Sequence, residues 1–329
     1  MARTGINPEK ILPKKLNHKA HRIIIPVYIP NREETYFQNA LDVLKISLKS
    51  LINTVDLEKT NITIINNNSC DSVSKYLLSL LKEKKIDKLV QNRTNRGKVE
   101  PVLSEALASY EEYITIADAD LYYFPDWLNE TFKIFNAFPS AGVVSPLPMP
   151  HLFTYYNLSC LAKNLFKIKF DKITPRNDLL NFEKSIGSKL LEQYYEGQFY
   201  IKKDNCIALL GASHVIATYK NIFHNEPKEK IPFVFLKGQE EFFIDNIFDR
   251  YHLCRLSTPK AFVYHIGNKI DNIILTQLEE TNREFKEYLI PKSIYVHKKP
   301  WLFLHKSTML AAKLFLKIHK KKMKNMRDL

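Results

Sequence analysis

Glycine is scarce in this chain, with eight among 329 residues, and that scarcity excludes two common phosphate-binding devices. No GxGxxG occurs, and the run "NRTNRGK" has Asn92 where a P-loop needs its first glycine. A nucleotide, if bound, must be held by something other than a glycine cradle. Cysteine is also thin: Cys70, Cys160, Cys206 and Cys254 are scattered with no CxxC pair and no clustered histidines. Neither a zinc module nor a disulfide framework is indicated, and a reducing cytosol fits. No stretch before residue 300 approaches the length of a membrane span. "MARTGINPEKILPKKLNHKA" has basic residues but no apolar core, so no secretory signal is expected and the localisation read from sequence is cytoplasmic.

What is present suits a sizeable globular unit. The 38.5 kDa chain is 45% hydrophobic and 26% charged, enough for one large domain with an appendage. Lys and Arg number 49 against 35 Asp and Glu, a net charge of +14, which favours an anionic partner. From Lys298 onward about ten Lys and Arg face one Asp, so roughly nine of the excess charges belong to the tail. A continuous nucleic-acid groove therefore has little support, and no specific nucleic-acid partner is expected.

The pattern along the chain is alternating. "HRIIIPVYIP" gives a buried first strand, and apolar residues at Phe37, Leu41, Leu44, Leu48 and Leu51 predict a helix over 33–52. "NITIINNNSCDSVSKYLLSLLKEKK" repeats strand, Asn/Ser turn and helix, with Asp71 or Ser72 able to cap. "KIDKLVQN", "VEPVLSEALASYEEY" and "YITIAD" continue as strand, helix and strand. Such alternation predicts an α/β fold, a parallel sheet with helices on both faces. Residues 151–205 lose the period and read as an inserted, acceptor-side segment. "CIALLGASHVIATYKNIF" returns to strand character, "QEEFFIDNIFDRYHL" reads as helix, "AFVYHIG" as a last strand and "TQLEETNREFKEYLI" as a further helix.

Ligands of open α/β sheets bind beyond the carboxyl ends of the strands. There stand Asn66, Asn67 and Asn68 after one strand and Asp118 and Asp120 after another. Two carboxylates with no nearby base suit Mg²⁺ or Mn²⁺. A solvated strand end, with Asp120 capping the next turn, is the plainer alternative.

The ordered succession "IIIPVY", "IINNNSCD", "NRGKVEPVLSEAL", "ITIADADLYYFPDWL", "GASHVIA", "KGQEEFFIDNIFDRYHL" and "AFVYHIG" resembles family 2 glycosyltransferases of the GT-A fold, over about three quarters of the chain. The resemblance implies a Rossmann-like, mixed but mostly parallel sheet, a domain spanning 21–268, an extension at 1–20 and a helical C-terminal region at 269–329. It implies donor contacts at Pro26 and Tyr28, and at Asn66 and Asn67, where the family more often has an acidic pair. Gly97 and Lys98 match a segment closing over the nucleotide, and Lys98 has the compact charge to contact phosphate. Asp118 and Asp120 match the DxD motif, with Asp120 the expected direct metal ligand and Asp118 nearer ribose or a metal-bound water. His265 matches a late histidine that completes the metal site in some relatives. Glu241, or Glu240 beside it, takes the place of the general base. Gly211 to His214 match a small-residue segment leaving room for a hexose.

The function so implied is a metal-dependent, inverting transfer from a nucleotide-diphosphate sugar, a UDP-sugar first, to a saccharide or lipid-linked acceptor of the kind used for bacterial surface glycans. A nucleotidyltransferase shares a related sheet and acidic site but more often has a glycine-rich loop after strand one, which "PVYIPNREE" lacks. A basic membrane- or nucleic-acid-binding protein is the non-enzymatic alternative. In the tail, Lys306, Lys313, Lys317 and Lys324 fall near one helical face and Leu304, Thr308, Ala311, Phe315 and Ile318 on the other. That pattern predicts either a helix on an anionic membrane surface, peripheral to the inner face of the cell membrane, or one docked on the protein's own core.

Overall fold

A computed structural model describes residues 5–7, 18–225, 240–270, 287–293 and 302–327. In chain order the elements are β1 (His21–Val27), α1 (Ala40–Asn53), β2 (Thr60–Asn67), α2 (Asp71–Lys82), β3 (Lys88–Asn92), α3 (Val99–Leu107) and β4 (Tyr113–Ala117). Then follow β5 (Leu121–Tyr123), α4 (Trp127–Ala137), β6 (Ala141–Ser145), α5 (Leu158–Asn164), β7 (Lys169–Asp171), α6 (Arg176–Ile186), β8 (Gln198–Lys203), β9 (Cys206–Leu210) and β10 (Ile216–Lys220). The last are α7 (Asn246–Arg250), β11 (Cys254–Ser257), β12 (Val263–His265) and α8 (Leu302–Arg327).

The main sheet has ten strands in the order β3-β2-β1-β4-β10-β6-β11-β9-β8-β7. β1, β2, β3 and β4 run parallel, as the alternation predicts. β10 then enters antiparallel between β4 and β6, β11 runs parallel to β6, and β9, β8 and β7 alternate beyond it. Seven of the ten strands thus point one way, a mixed and mostly parallel α/β sheet. Ile23, Ile24 and Ile25 are all fully buried, because helices cover β1 from both sides. α1, α2 and α4 supply Leu48, Leu77 and Phe132 to one core, while α3 and α7 supply Val102, Ala106 and Phe248 to the other.

Four details depart from the sequence expectations. α1 begins at Ala40 rather than Glu33, because the Asn31 side chain accepts hydrogen bonds from the backbone of Glu33 and Glu34 and holds a turn there. Tyr36 and Phe37 are thereby left outside the helix. β12 does not join the main sheet but pairs with β5, a short strand directly after Asp120. The segment 151–205 is ordered: β7 and β8 extend the sheet as an antiparallel ribbon, and α6 packs against β12. α8 forms as predicted and docks on α5, one of the two placements expected of it, with Ala312 fully buried and Phe315 5.3 Å from the Phe199 ring. Its buried face runs through Met309, Ala312, Phe315 and Leu316, so Ile318, expected on that face, is exposed instead. Most of the helix expected in "TQLEETNREFKEYLI" lies outside the described residues. Among the described residues no helix is long and apolar enough to cross a membrane.

Candidate active site

β4 ends at Ala117, and the next residues step from the large sheet to the small one. The Asp118 N–H donates to Val215 O at 2.9 Å, and the Asp120 carbonyl accepts from the Ile266 N–H at 2.9 Å. Ser47 and Ser50, buried on α1, accept the N–H groups of Leu121 and Tyr123 at 3.3 and 3.1 Å. Backbone bonds on both sides therefore aim the acidic pair. Asp118 and Asp120 line a cavity of about 310 Å³ together with Pro26, Tyr28, Tyr36, Phe37 and Gly267. The Tyr28 and Tyr36 rings each meet Phe37 edge-on, at 6.2 and 5.0 Å, so the lining combines an aromatic cluster with the acidic pair.

Each carboxylate has a cationic neighbour. Lys98 Nζ lies 2.5 Å from Asp118 Oδ1 and 2.9 Å from Glu240 Oε2, and 3.5 Å from the His214 carbonyl. Burial works against the Lys98 charge, but Asp118 and Glu240 outweigh it and hold the ammonium well above its ordinary pKa. Asp118 is pushed up by burial, is partly restored by Lys98, and is pushed up again by Glu240 and Asp120. Lys98, expected on donor phosphate, here ties Asp118 to Glu240, beside the candidate base Glu241.

His265 Nε2 stands 3.3 Å from Asp120 Oδ2, and Nδ1 2.7 Å from Ser185 Oγ on α6. The Ser185 hydroxyl donates its proton to the Phe182 carbonyl at 2.6 Å. Having one proton, it must accept from His265, which puts a proton on Nδ1 and turns Nε2 toward the acidic pair. Burial opposes the imidazolium, yet the hydrogen bond to Asp120 and the charges of both aspartates raise His265 above its usual value. Gly267 has φ +72, and a Cβ there would sit 3.0 Å from the Ser185 carbonyl, so α6 presses closely on this turn.

Asn66 and Asn67 do not reach the cavity. Asn66 Nδ2 donates to Ser74 Oγ and Gln91 Oε1, and Asn67 Nδ2 to Asn95 Oδ1 and the Gly97 carbonyl. Their carbonyl oxygens accept from Ser69 N, and from Asn92 Nδ2 and Arg96 N. Asn67 braces the loop ahead of Lys98, and Asn66 ties the turn after β2 to α2 and β3. Gly97 sits in that loop at φ +77. At Gly211 the missing side chain admits the protein's own backbone, since a Cβ would meet Phe153 N at 2.7 Å and Met149 O at 2.9 Å. Glu241 opens the π-helical turn Glu241–Asp245, and its side chain lies outside the described residues. Asp245 closes that turn in a buried pair with Arg255 at 2.5 Å, while Arg255 also donates to the carbonyls of Ala212 and Tyr155.

Sequence reading passed over Tyr36, Ser185, Arg255 and Asp245. Asp245 lies inside the quoted run "QEEFFIDNIFDRYHL", and Tyr36 and Arg255 each stand two residues past a quoted run, but none carries a spacing signal. Among the described residues no group of three His, Cys, Asp or Glu stands preassembled for a metal. Asp120 Oδ1 is nevertheless buried without a hydrogen-bond partner. Such an orphan beside a second carboxylate fits a hard cation that takes one or two protein carboxylates and fills its sphere from substrate phosphate and water.

No curated protein matches the chain. Among solved structures it is similar to the mannosyltransferase PcManGT from Pyrobaculum calidifontis in complex with GDP-Man and Mn²⁺, at 14% identity and TM-score 0.37, covering 62% of this chain and 45% of that one. It is also similar to S. aureus TarS 1-349, at 12% identity and TM-score 0.44, covering 75% and 60%. Both cover less than two thirds of the other protein. Residues 23–169, from β1 through the acidic pair to the start of β7, match the family model Glycosyl transferase family 2.

Proposed function

We propose that the chain transfers a sugar, with inversion, from a nucleotide-diphosphate sugar to a hydroxyl of a saccharide or lipid-linked saccharide. The observation that carries the proposal is the buried, unpartnered Oδ1 of Asp120, a residue lining a cavity that aromatic rings also line. Tyr28, Tyr36 and Phe37 offer faces and edges for a base, and Asp118 and Asp120 mark the diphosphate end. Mn²⁺ or Mg²⁺ would be held by Asp120, with Asp118 and His265 Nε2 beside it, and when bound would neutralise charge on the leaving diphosphate.

The protein's own groups do the rest. Lys98 neutralises Asp118 in the resting site and holds Glu240 next to it. Glu241, with Glu240 as the second candidate, accepts the proton of the attacking hydroxyl. The Asp245–Arg255 pair fixes the turn that carries both glutamates.

The test is incubation with a panel of nucleotide sugars, UDP-sugars first, and Mn²⁺. Release of nucleotide diphosphate that is lost in Asp120→Ala is the expected result. Release of pyrophosphate would indicate a nucleotidyltransferase, and full turnover by Asp120→Ala would remove the acidic pair from the chemistry.

A further inference from the structure

α8 has two faces, and docking on α5 accounts for one. Ala312 is fully buried, Phe315 stacks among Phe153 and Phe199, and the His319 ring lies 4.9 Å from Phe153. The opposite face exposes Leu310, Leu314 and Ile318, one turn apart from each other, at 70%, 57% and 60%. Lys306, Lys313 and Lys317 are exposed along one edge of that strip, about 20 to 60° round the helix from Leu310 by the 3.6-residue turn. α8 carries eight Lys and Arg and no Asp or Glu.

The apolar exposure continues onto the body. Phe166, just beyond the α5 that α8 packs on, is 93% exposed. Phe170 is 59% exposed, and its ring contacts Phe199, which in turn contacts Phe315 of α8. Lys163, Lys167 and Lys169 are exposed around these two rings.

We propose that this composite face, α8 together with the chain at Phe166 and Phe170, docks on an anionic bilayer surface. Several large apolar side chains bordered by lysines match the acyl boundary and phosphate layer of such a surface. A second copy of the chain would bring the same lysines against each other, so charge complementarity selects the lipid. Because α8 is held by Ala312 and Phe315, binding needs no release of the helix, and the segment 151–205 that supports it is brought to the bilayer with it. The docking does not depend on the sugar-transfer reading.

Flotation of the full chain with vesicles tests this. Phosphatidylcholine mixed with phosphatidylglycerol should retain the protein, and phosphatidylcholine alone should bind about a hundredfold less, at roughly a kcal/mol for each of three lysines. High salt should release it. Leu310→Glu with Leu314→Glu should cut partition at least about tenfold with unchanged helix content and melting, both positions being exposed. If that variant unfolds, Lys306→Gln with Lys313→Gln and Lys317→Gln serves the same purpose, removing charge alone. No binding of the wild type to anionic vesicles, or equal binding by the folded variants, overturns the proposal. So does self-association in light scattering that these substitutions abolish while vesicle binding is absent, since the face would then belong to a second copy.

Discussion

Lowering the pH should destabilise this fold, and His21 carries a separable share of the loss. It opens β1 and is fully buried between the two neighbouring strands, with Nδ1 3.1 Å from Thr60 Oγ1 on β2 and Nε2 2.7 Å from Thr115 Oγ1 on β4. Thr115 Oγ1 lies 2.6 Å from Thr218 Oγ1 on β10, so one chain of side-chain bonds crosses the join between the parallel and antiparallel parts of the sheet. Burial lowers the His21 pKa to about 3, against partial opposition from the charge of Glu111. The unfolded chain, with a value of about 6.5, binds a proton in the interval where the native state does not. Stability is therefore intact above the unfolded value and is lost as pH falls from there toward the folded one. The loss amounts to about 2 kcal/mol at pH 5 and about 3 kcal/mol at pH 4. Urea unfolding of the wild type and of His21→Asn at pH 7, 5 and 4 measures it. The variant is weaker at pH 7 by about 1 to 2 kcal/mol of lost hydrogen bonding, but the gap should close as the pH falls. A constant gap would refute the argument, as would a His21 ring resonance that titrates at the ordinary histidine value.

Other substitutions probe the site's supports. Arg255→Met strands the Asp245 carboxylate in the core and should cost about 3 to 5 kcal/mol in chemical denaturation, while Arg255→Met with Asp245→Leu should recover most of it. Ser185→Ala removes the acceptor that keeps the His265 proton on Nδ1 and should weaken Mn²⁺ affinity about tenfold by paramagnetic titration, whereas Ser185→Thr should retain it. Equal affinity in both variants would make Ser185 a packing residue only. Gly211→Ala forces a side chain into left-handed backbone at φ +103 and against the Met149–Phe153 chain, and should lower stability by about 2 kcal/mol or more on thermal melting.

The parallel half of the fold was readable because its signal is local. Ile23 to Ile25, Ile62 to Ile65 and Ile114 to Ile116 are short apolar runs separated by helical periods, and burial on both faces demands that composition. The antiparallel entry of β10 was not readable, since hydrophobic alternation has no direction. β5 escaped because three residues, Leu121 to Tyr123, are too few for a period. Asp118 and Asp120 were legible by position at a strand end, and the structure brings them to Pro26, Tyr28 and His265. The role of the asparagines was not. Amide groups can satisfy a base or the protein itself equally well, and the partners they take here, Gln91, Asn95 and Gly97, are distant in sequence.

Those asparagines also explain how Lys98 comes to lie where it does. Asn67 ties its amide to Asn95 and Gly97 and accepts from Arg96, so the loop before α3 is fastened to the end of β2 from both sides. Lys98 follows directly, and its ammonium has little choice but to enter the gap between Asp118 and Glu240. Two carboxylates so placed, together with Asp120, would repel one another in a half-buried site, and a single internal cation removes most of that penalty. Asp120 is covered on Oδ2 by His265, which leaves Oδ1 as the one oxygen of the acidic pair both buried and unpartnered. The sequence motif contains two aspartates, but the structure makes them unequal. Asp118 is already matched by the protein, and Asp120 retains an acceptor position that only something brought from outside can fill.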